Sequence, residues 1–312
     1  MDRLFPRPLP PSATIGITSP ASPQRDQDRL VRGISVLRDL GYTVIEGATC
    51  TARAGSYLAG SDELRARELE AMFADPSIDA IMCARGGYGS PRILDLIDWS
   101  IIANNPKIFV GFSDITALQM AMLHRTGLVT FSGAMPSVDM ADGFDPLSAA
   151  SFWNALTSTS PLGTISQPEA INVLRPGKAE GLLVGGNLSV FVSLLGTPWL
   201  PPMDGNVLIL EDIGEETYRI DRMLNHLRLA GVLDRISALV FGQWSQGTVR
   251  ESNTPPRDVN DVLLEYAQYV DGPVLSNVMY GHVTPKLTLP MGVRVSVEET
   301  IRVEECASVL VC

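Results

Sequence analysis

Through the first part of the chain, short apolar runs alternate with longer segments in which apolar residues recur every three or four positions. Runs of the first kind are typical of buried strands, and segments of the second kind are typical of helices with one buried face. This alternation predicts βαβ units and a doubly wound α/β fold with a parallel sheet. The predicted strands are 14–18, 42–45, 80–83, 108–110 and 128–131, and helices are predicted at 26–40, from Ser61, from Ser90 and from Asp114 to Thr126.

The pattern lapses between residues 157 and 178, where Ser, Pro and Gly are frequent. We interpret 161–178 as a linker between an N-terminal α/β domain at 1–160 and a smaller C-terminal domain at 179–312. Beyond the linker, the sequence predicts a strand-rich domain of mixed α and β structure. Its predicted strands are 206–210 and 238–241, its predicted helices are 217–230 and 258–270, and the alternating runs 294–298, 301–304 and 308–311 predict small, mostly antiparallel strands.

Three polar or glycine-rich stretches directly follow predicted strands: the loop at Ser19, the stretch 85–89, and Ser113. In open α/β sheets, ligands bind outside the carboxyl ends of the strands. The carboxyl ends of parallel strands lie at the same edge of a sheet. We therefore expect one crevice to collect these three stretches.

Ser113 is expected in the sharp turn between a strand and a helix that ends at Gly127. A serine in such a turn exposes its hydroxyl, and the amide of Asp114 points in the same direction as the helix N-terminus. This combines a nucleophile with half of an oxyanion hole, as in a nucleophile elbow, although Ile115 replaces the second glycine of the G-x-S-x-G pattern. Because serine is also a preferred N-cap residue, helix capping is the competing interpretation.

Two glycine-rich loops could add backbone amides to the crevice. The stretch 85–89 lacks the Lys-Ser/Thr pair of a P-loop and the G-x-G-x-x-G spacing of dinucleotide-binding loops. Its paired glycines permit close backbone approach, which suits an oxyanion hole, a phosphate cradle or a simple turn. The second loop, 185–189, either lines the crevice from the second domain or is a helix-capping turn.

A serine hydroxyl needs a neighbouring base to become an effective nucleophile, and the chain has three histidines. His124 is expected in the last turn of the Ser113 helix, about 15 Å along the axis from Ser113, and His226 on a solvated helix face. His282 is expected in a loop, where catalytic groups are often held, although a lone loop histidine is also a common structural residue. Glu211, directly after a buried apolar run, is the candidate acid; the competing interpretation is a charge ahead of the following helix.

Composition argues against several classes of function. The net charge of −11 disfavours nucleic acid and anionic membranes as partners. The four cysteines are scattered and the three histidines lack an H-x-x-x-H spacing, so we expect neither a disulfide framework nor a metal site, and no cofactor. Prolines near the N-terminus and the absence of a long apolar run in the sequence favour a cytoplasmic protein.

Four short motifs occur in a fixed order along nearly the whole chain. They are Arg-Gly-Gly-Tyr-Gly at 85–89, Gly-Phe-Ser-Asp-Ile-Thr at 111–116, Leu-Glu-Asp-Ile-Gly-Glu at 210–215, and Gly-His at 281–282 followed by Thr-Leu-Pro-Met-Gly at 288–292. In these motifs the sequence resembles the LD-carboxypeptidase family of serine peptidases, also called muramoyltetrapeptide carboxypeptidases. The microcin C self-immunity peptidases belong to the same family.

The resemblance implies a catalytic triad in which Ser113 is the nucleophile, His282 the general base and Glu211 the carboxylate that orients the histidine. The implied fold is a flavodoxin-like N-terminal domain, similar to that of class I glutamine amidotransferases, with a smaller β-rich C-terminal domain. Members of the family commonly form homodimers. The implied chemistry needs no metal.

The resemblance also implies an oxyanion hole built from backbone amides. One amide is that of Asp114, and the other is that of Gly86, with Gly87 as the alternative. A carboxypeptidase must in addition bind the free carboxylate at the end of its peptide substrate, and the planar fork of arginine suits that task. Arg85, beside the oxyanion glycines, is the candidate for this role.

The implied reaction releases the terminal D-alanine of a murein tetrapeptide during cell-wall recycling. The main alternative is an immunity-type peptidase that cleaves aminoacyl-nucleotide analogues and needs an aromatic residue to stack on a base. Other classes fit less well. Glutamine amidotransferases use a cysteine where this chain has Ser113, dehydrogenases need a glycine-rich turn after the first strand, and a non-catalytic binding module would tolerate loss of the triad, whose three members are all present.

Overall fold

The computed structural model describes residues 2–246 and 257–309. Its strands are β1 (Thr14–Thr18), β2 (Thr43–Glu46), β3 (Ala80–Cys83), β4 (Ile108–Gly111), β5 (Thr130–Ser132), β6 (Gly163–Thr164), β7 (Asn172–Arg175), β8 (Ala179–Asn187), β9 (Val207–Glu215), β10 (Ala238–Gln246), β11 (Val274–Ser276), β12 (Leu289–Met291), β13 (Arg294–Val297) and β14 (Ile301–Val303). Its α-helices are α1 (Gln27–Asp39), α2 (Asp62–Ala74), α3 (Trp99–Asn104), α4 (Thr116–Thr126), α5 (Pro146–Thr157), α6 (Leu188–Ser193), α7 (Thr217–Leu229) and α8 (Val259–Ala267). Among these helices of the described residues, none is long and apolar enough to cross a bilayer.

The first sheet consists of five parallel strands and one antiparallel edge strand. Its order is β2-β1-β3-β4-β5-β12. The first five strands in this order pair in parallel with their neighbours. All residues of β3 and β4 are buried, which explains why both strands read as continuous apolar runs. The strand order is that of flavodoxin-like folds. The predicted α/β class and flavodoxin-like sheet are therefore confirmed.

Several helix ends follow the capping residues that the sequence contains. Asp26 caps α1 by accepting a hydrogen bond from the amide of Asp28, and Ser61 caps α2 by accepting one from the amide of Leu64. Gly127 ends α4 in the left-handed conformation that favours glycine. These caps hold the helices that pack against the first sheet at the bounds expected from the sequence.

The α-helix predicted from Ser90 does not form, so this prediction is wrong. A short 3-10 turn, Ser90–Ile93, begins there, and the next α-helix starts at Trp99. The hydroxyl of Ser90 donates to the backbone oxygen of Asp114, and its amide donates to the Asp114 carboxylate at 2.7 Å. Both polar groups thus bond to Asp114 in the Ser113 turn, and no side-chain cap precedes the 3-10 turn, whose N-cap residue is Gly89.

The second sheet is mixed, with the order β6-β14-β13-β8-β9-β10-β11-β7. Its central strands β8 to β11 pair in parallel, and the strands on both sides pair antiparallel. The strand-rich, mixed character predicted for the C-terminal part is confirmed. The runs 294–298 and 301–304 supply the antiparallel pair β13 and β14, and the run 308–311 lies partly outside the described residues.

The predicted linker contains regular structure, and this corrects its interpretation. Both β6 and β7 lie within 161–178 and form the two edges of the second sheet. Edge strands pair on one side only, and none of the residues in these two is buried, so they carry no apolar period to detect. In addition, β12 from the C-terminal part pairs with β5 of the first sheet. The domain limits at 160 and 179 stay predictions.

Candidate active site

Ser113 lies between the end of β4 and the start of α4, in the 3-10 turn Ser113–Ile115. Its φ is 66°, in the left-handed region that residues other than glycine rarely adopt. A strained turn of this kind directs the serine hydroxyl away from the backbone, as in a nucleophile elbow. A Cβ at Gly111 would lie 2.8 Å from the Ile115 side chain. Glycine at 111 therefore makes room for the isoleucine that replaces the second glycine of the elbow pattern.

The stretch 85–89, called the glycine loop below, approaches Ser113 closely. A Cβ at Gly86 would lie 2.9 Å from the Cβ of Ser113 and 3.2 Å from its Oγ. A Cβ at Gly87 would instead lie 2.4 Å from Oγ of Ser22. Within the part of the chain that the structure describes, the amides of Gly86 and Asp114 donate no hydrogen bond to another backbone group. Of the two glycines considered for the oxyanion hole, Gly86 is the one next to the hydroxyl.

The carboxylate of Asp114 joins the glycine loop to the Ser113 turn. It is buried and accepts a hydrogen bond from the amide of Ser90 at 2.7 Å. Arg65, fully buried, donates to the carbonyl oxygens of Gly89, at 2.8 Å, and Pro20. Burial raises the pKa of Asp114, while the hydrogen bonds from Ser90 act in the opposite direction. These contacts hold the two backbone segments that flank the serine in one relative position.

The imidazole of His282 lies between Ser113 and Glu211. Its Nε2 is 3.0 Å from Oγ of Ser113, and its Nδ1 is 2.7 Å from Oε2 of Glu211. Because an ionised carboxylate only accepts hydrogen bonds, Nδ1 carries the hydrogen and Nε2 accepts from the serine hydroxyl. Glu211 is 1% exposed and belongs to β9, and His282 lies in the loop between β11 and β12. The three predicted triad residues thus form one hydrogen-bonded chain that joins elements of both sheets.

Glycines allow the His282 loop to approach Glu211. At Gly281, φ is 113°, and a Cβ there would lie 2.5 Å from Oε2 of Glu211. On β10, a Cβ at Gly242 would lie 2.6 Å from the carbonyl oxygen of Tyr280 and 3.1 Å from Cβ of Glu211. A side chain at either glycine would separate the loop from the carboxylate.

Asn187, at the end of β8, holds two neighbouring carboxylates. Its Nδ2 lies 2.9 Å from Oδ1 of Asp212 and 3.4 Å from Oε1 of Glu211. Its backbone amide donates to Oγ1 of Thr116 at 3.0 Å, and its side-chain oxygen caps α6. The stretch 185–189 is therefore the end of β8 and the capped start of α6, and through Asn187 it also contacts the triad residue Glu211.

A buried ion pair that the sequence does not predict lies against Phe112, the residue whose ring contacts His282. The Phe112 ring meets the imidazole edge-on, with centroids 4.9 Å apart. Nζ of Lys286 lies 3.6 Å from the Phe112 centroid and 2.7 Å from Oδ1 of Asp139. The Lys286 and Asp139 side chains are 5% and 8% exposed. A lysine within a mostly apolar segment is the only signal in the sequence, and nothing there points to its distant partner.

The remaining candidates lie apart from this chain of hydrogen bonds. Nη1 of Arg85 donates to the carbonyl oxygen of Pro23 at 2.8 Å. His124 is in the last turn of α4, where burial lowers its pKa, and His226 is exposed on α7. In residues 2–246 and 257–309, no group of three or more His, Cys, Asp or Glu side chains is placed to hold a metal ion.

Comparisons with known proteins identify the family of this chain. A model of the LD-carboxypeptidase N-terminal domain matches residues 15–133, and a model of the LD-carboxypeptidase C-terminal domain matches residues 180–297. A probable murein peptide carboxypeptidase of Bacillus subtilis is 39% identical, and the alignment covers 93% of this chain and 90% of the relative.

Two further relatives connect sequence and structure. The Microcin C7 self-immunity protein MccF of Escherichia coli is 31% identical over 95% of this chain and 93% of its own. A structure of MccF in complex with glutamyl sulfamoyl guanosine has a TM-score of 0.90, with 28% identity and coverage of 98% and 99%. A muramoyltetrapeptide carboxypeptidase from Oxalobacter formigenes has a TM-score of 0.82, with 31% identity and coverage of 94% and 99%. The chain belongs to the LD-carboxypeptidase family of peptidases.

Proposed function

We propose that this protein is a serine carboxypeptidase that cleaves the L,D-peptide bond before the terminal D-alanine of a murein tetrapeptide. The supporting observation is the hydrogen-bonded chain from Glu211 through His282 to Ser113, with distances of 2.7 and 3.0 Å. Ser113 is the nucleophile, His282 the general base, and Glu211 the group that orients and stabilises the imidazole. Such triads recur on unrelated folds and are identified by geometry.

In the first step, Nε2 of His282 takes the hydroxyl proton while Oγ of Ser113 bonds to the carbonyl carbon of the penultimate residue. Glu211 stabilises the resulting imidazolium through the hydrogen bond to Nδ1. Negative charge develops on the carbonyl oxygen, and the amides of Asp114 and Gly86 donate hydrogen bonds to it. His282 then protonates the nitrogen of the departing D-alanine as the C–N bond breaks, which leaves an acyl-enzyme.

Hydrolysis of the acyl-enzyme completes the cycle. A water molecule attacks the ester carbon while His282 takes one of its protons, and the same proton returns to Oγ of Ser113 as the tripeptide leaves. We propose that a cytoplasmic homodimer performs this reaction on peptides recovered from the cell wall.

Hydrolysis of aminoacyl-nucleotide analogues is the second candidate function. It is favoured by the TM-score of 0.90 to MccF bound to glutamyl sulfamoyl guanosine. It is also favoured by Tyr57 and Tyr88, which are 53% and 50% exposed and have ring centroids 5.8 Å apart. Since Tyr88 belongs to the glycine loop, these rings could stack on a base near Ser113. The higher identity to the murein peptide carboxypeptidase, 39% against 31% for MccF, favours the murein peptide.

A direct comparison of substrates tests the proposal. The protein is incubated with L-Ala-γ-D-Glu-meso-diaminopimelate-D-Ala and, separately, with an aminoacyl-sulfamoyl-adenosine, and products are identified by mass spectrometry. We expect release of D-alanine and a tripeptide, with the higher kcat/KM for the murein peptide. Hydrolysis of the nucleotide analogue alone would assign the protein to the immunity type, and hydrolysis of neither substrate by a folded protein would refute both functions.

A further inference from the structure

A small pocket beside the glycine loop is lined by arginines. Its volume is about 180 Å³, and its lining includes Arg25, Arg29 and Arg85. The one carboxylate on the lining is that of Asp26, which is engaged as the cap of α1 and accepts the amide of Asp28 at 2.9 Å. Loops after β1 and β3 form most of the pocket, which therefore lies at the edge of the first sheet where ligands bind. We call it the arginine pocket.

Arg85 connects the arginine pocket to the nucleophile. It directly precedes Gly86, at which a Cβ would lie 3.2 Å from Oγ of Ser113, and its own Nη2 lies 3.6 Å from the Cβ position of Gly87. Its Nη1 donates to the carbonyl oxygen of Pro23 at 2.8 Å, which holds the guanidinium against the loop after β1. Arg85, on the pocket lining, and Gly86, next to Ser113, are therefore consecutive residues of the chain.

Two of the three arginines have no acidic partner. Arg29 pairs with Asp142 and donates to the carbonyl oxygen of Ser137 at 3.1 Å. Arg25 and Arg85 form no ion pair with any other residue that the structure describes. Burial lowers the pKa of Arg85, and repulsion from Arg25 adds to this effect. In a chain with a net charge of −11, the pocket lining has three arginines and one carboxylate, and therefore an excess of positive charge.

We propose that the arginine pocket binds a carboxylate of the peptide substrate. Guanidinium groups bind carboxylates with paired hydrogen bonds, and an anion relieves the repulsion between two close arginines. The pocket is smaller than the roughly 300–1,000 Å³ of sites for drug-sized ligands, so it suits one small charged group. This inference rests on the proposed function. A murein tetrapeptide offers three such groups: the terminal carboxylate of D-alanine, the α-carboxylate of D-glutamate, and the carboxylate on the D-centre of diaminopimelate.

The test compares the parent tetrapeptide with three peptides that each lack one carboxylate. These peptides carry D-alaninamide at the C-terminus, D-isoglutamine in place of D-glutamate, or L-lysine in place of diaminopimelate. Values of kcat and KM are measured for the wild type and for Arg25→Gln and Arg85→Gln. Arg67→Gln is the control, since Arg67 is exposed on α2, away from the pocket lining, and the change removes the same charge.

We expect the wild type to disfavour one of the three peptides by about 10- to 100-fold in kcat/KM, which is the effect of losing one charge-assisted hydrogen-bonded contact. Arg85→Gln should remove this preference and Arg25→Gln should reduce it, mainly through KM, whereas Arg67→Gln should keep it. The peptide that the wild type disfavours, and that Arg85→Gln no longer disfavours, lacks the carboxylate that the pocket binds. Arg25 is exposed, so Arg25→Gln remains a valid test if Arg85→Gln does not fold.

Two results would overturn the inference while leaving the proposed function intact. One is an active wild type that turns over all four peptides alike, and the other is a full wild-type preference in both pocket variants. A folded wild type that releases D-alanine from none of the peptides would overturn the proposed function and this inference together.

Discussion

Glu211 and His282 are joined by two hydrogen bonds to a single carboxylate oxygen. Oε2 of Glu211 accepts from Nδ1 of the ring at 2.7 Å and from the backbone amide of His282 at 3.2 Å. The same oxygen therefore determines the tautomer of the imidazole and the position of the loop that carries it. An amide of equal size at position 211 would keep the packing and remove the charge.

For Glu211→Gln, we expect kcat to fall by about 10³- to 10⁴-fold, because an amide neither stabilises the imidazolium nor enforces the tautomer. Circular dichroism should show an unchanged fold. Glu180→Gln, an exposed position on β8, is the matched control and should leave kcat unaltered. A Glu211→Gln enzyme with kcat near that of the wild type would exclude the orienting role of this carboxylate.

A methyl group at position 281 should disable the site without unfolding the protein. Gly281 and Gly143 both have positive φ, 113° and 103°, so alanine is strained at either position by about 1–3 kcal/mol. Only at Gly281 would the Cβ collide with the Glu211 carboxylate, whereas no atom lies within 4 Å of the Cβ position at Gly143.

We therefore expect a larger loss of thermal stability in Gly281→Ala than in Gly143→Ala, because the added methyl also overlaps the buried Glu211 side chain. A fall in kcat of about 10²-fold or more is expected in Gly281→Ala alone. Thermal denaturation and steady-state kinetics measure the two effects. Equal kcat values in the two variants would show that the approach of the loop to Glu211 does not matter for turnover.

The buried pair of Lys286 and Asp139 should contribute to stability far more than an exposed pair. In Lys286→Met, the Asp139 carboxylate is left buried without its cation, and we expect the free energy of unfolding in urea to fall by about 3–5 kcal/mol. Adding Asp139→Asn should restore part of this loss, because the buried charge is then removed. Lys178→Met, which breaks an exposed pair with Glu298, should cost about 1 kcal/mol or less. Equal losses in the two lysine variants would contradict this ranking.

Asp212 should make the stability of the protein depend on pH. Burial raises its pKa, and the neighbouring Glu211 adds to the increase, while hydrogen bonds oppose it. As pH rises from about 3.9, the ordinary value for aspartate, the unfolded chain releases this proton before the folded chain does. The contribution of Asp212 to the free energy of unfolding is therefore complete at low pH and is lost as pH passes through the raised pKa.

Urea denaturation of the wild type and of Asp212→Asn between pH 4 and pH 7 measures this contribution. The stability of the wild type relative to the variant should decline as pH rises, because the variant has no carboxyl group to titrate at this position. A difference that is constant over the whole range would show that the pKa of Asp212 is the same in the folded and unfolded states.

The sequence predicts those parts of the fold in which the spacing of apolar residues along one segment reflects which of its faces are buried. Strands β3 and β4 are apolar throughout because both faces are covered, and the change of period at Asp114 marks the turn that holds Ser113. The fold class and the family are confirmed. The residues of the candidate triad are nominated by short motifs, and the structure brings their side chains within hydrogen-bond distance.

The remaining features depend on contacts between distant segments, which leave no local pattern. Ser90 bonds to Asp114 instead of capping a helix, and Lys286 finds its partner in Asp139. Strands β6 and β7 carry no apolar period because they lie at sheet edges. Nothing in the sequence distinguishes Arg25 from other arginines, and only the fold places it with Arg85 on the lining of the arginine pocket.

The central claim is that Ser113 attacks the peptide bond before a terminal D-alanine. The most direct test measures D-alanine release from L-Ala-γ-D-Glu-meso-diaminopimelate-D-Ala by the wild type and by Ser113→Ala, with the fold of both verified by circular dichroism. We predict release by the wild type and a loss of several orders of magnitude in the variant. Release at near wild-type rates by Ser113→Ala would contradict the proposed mechanism.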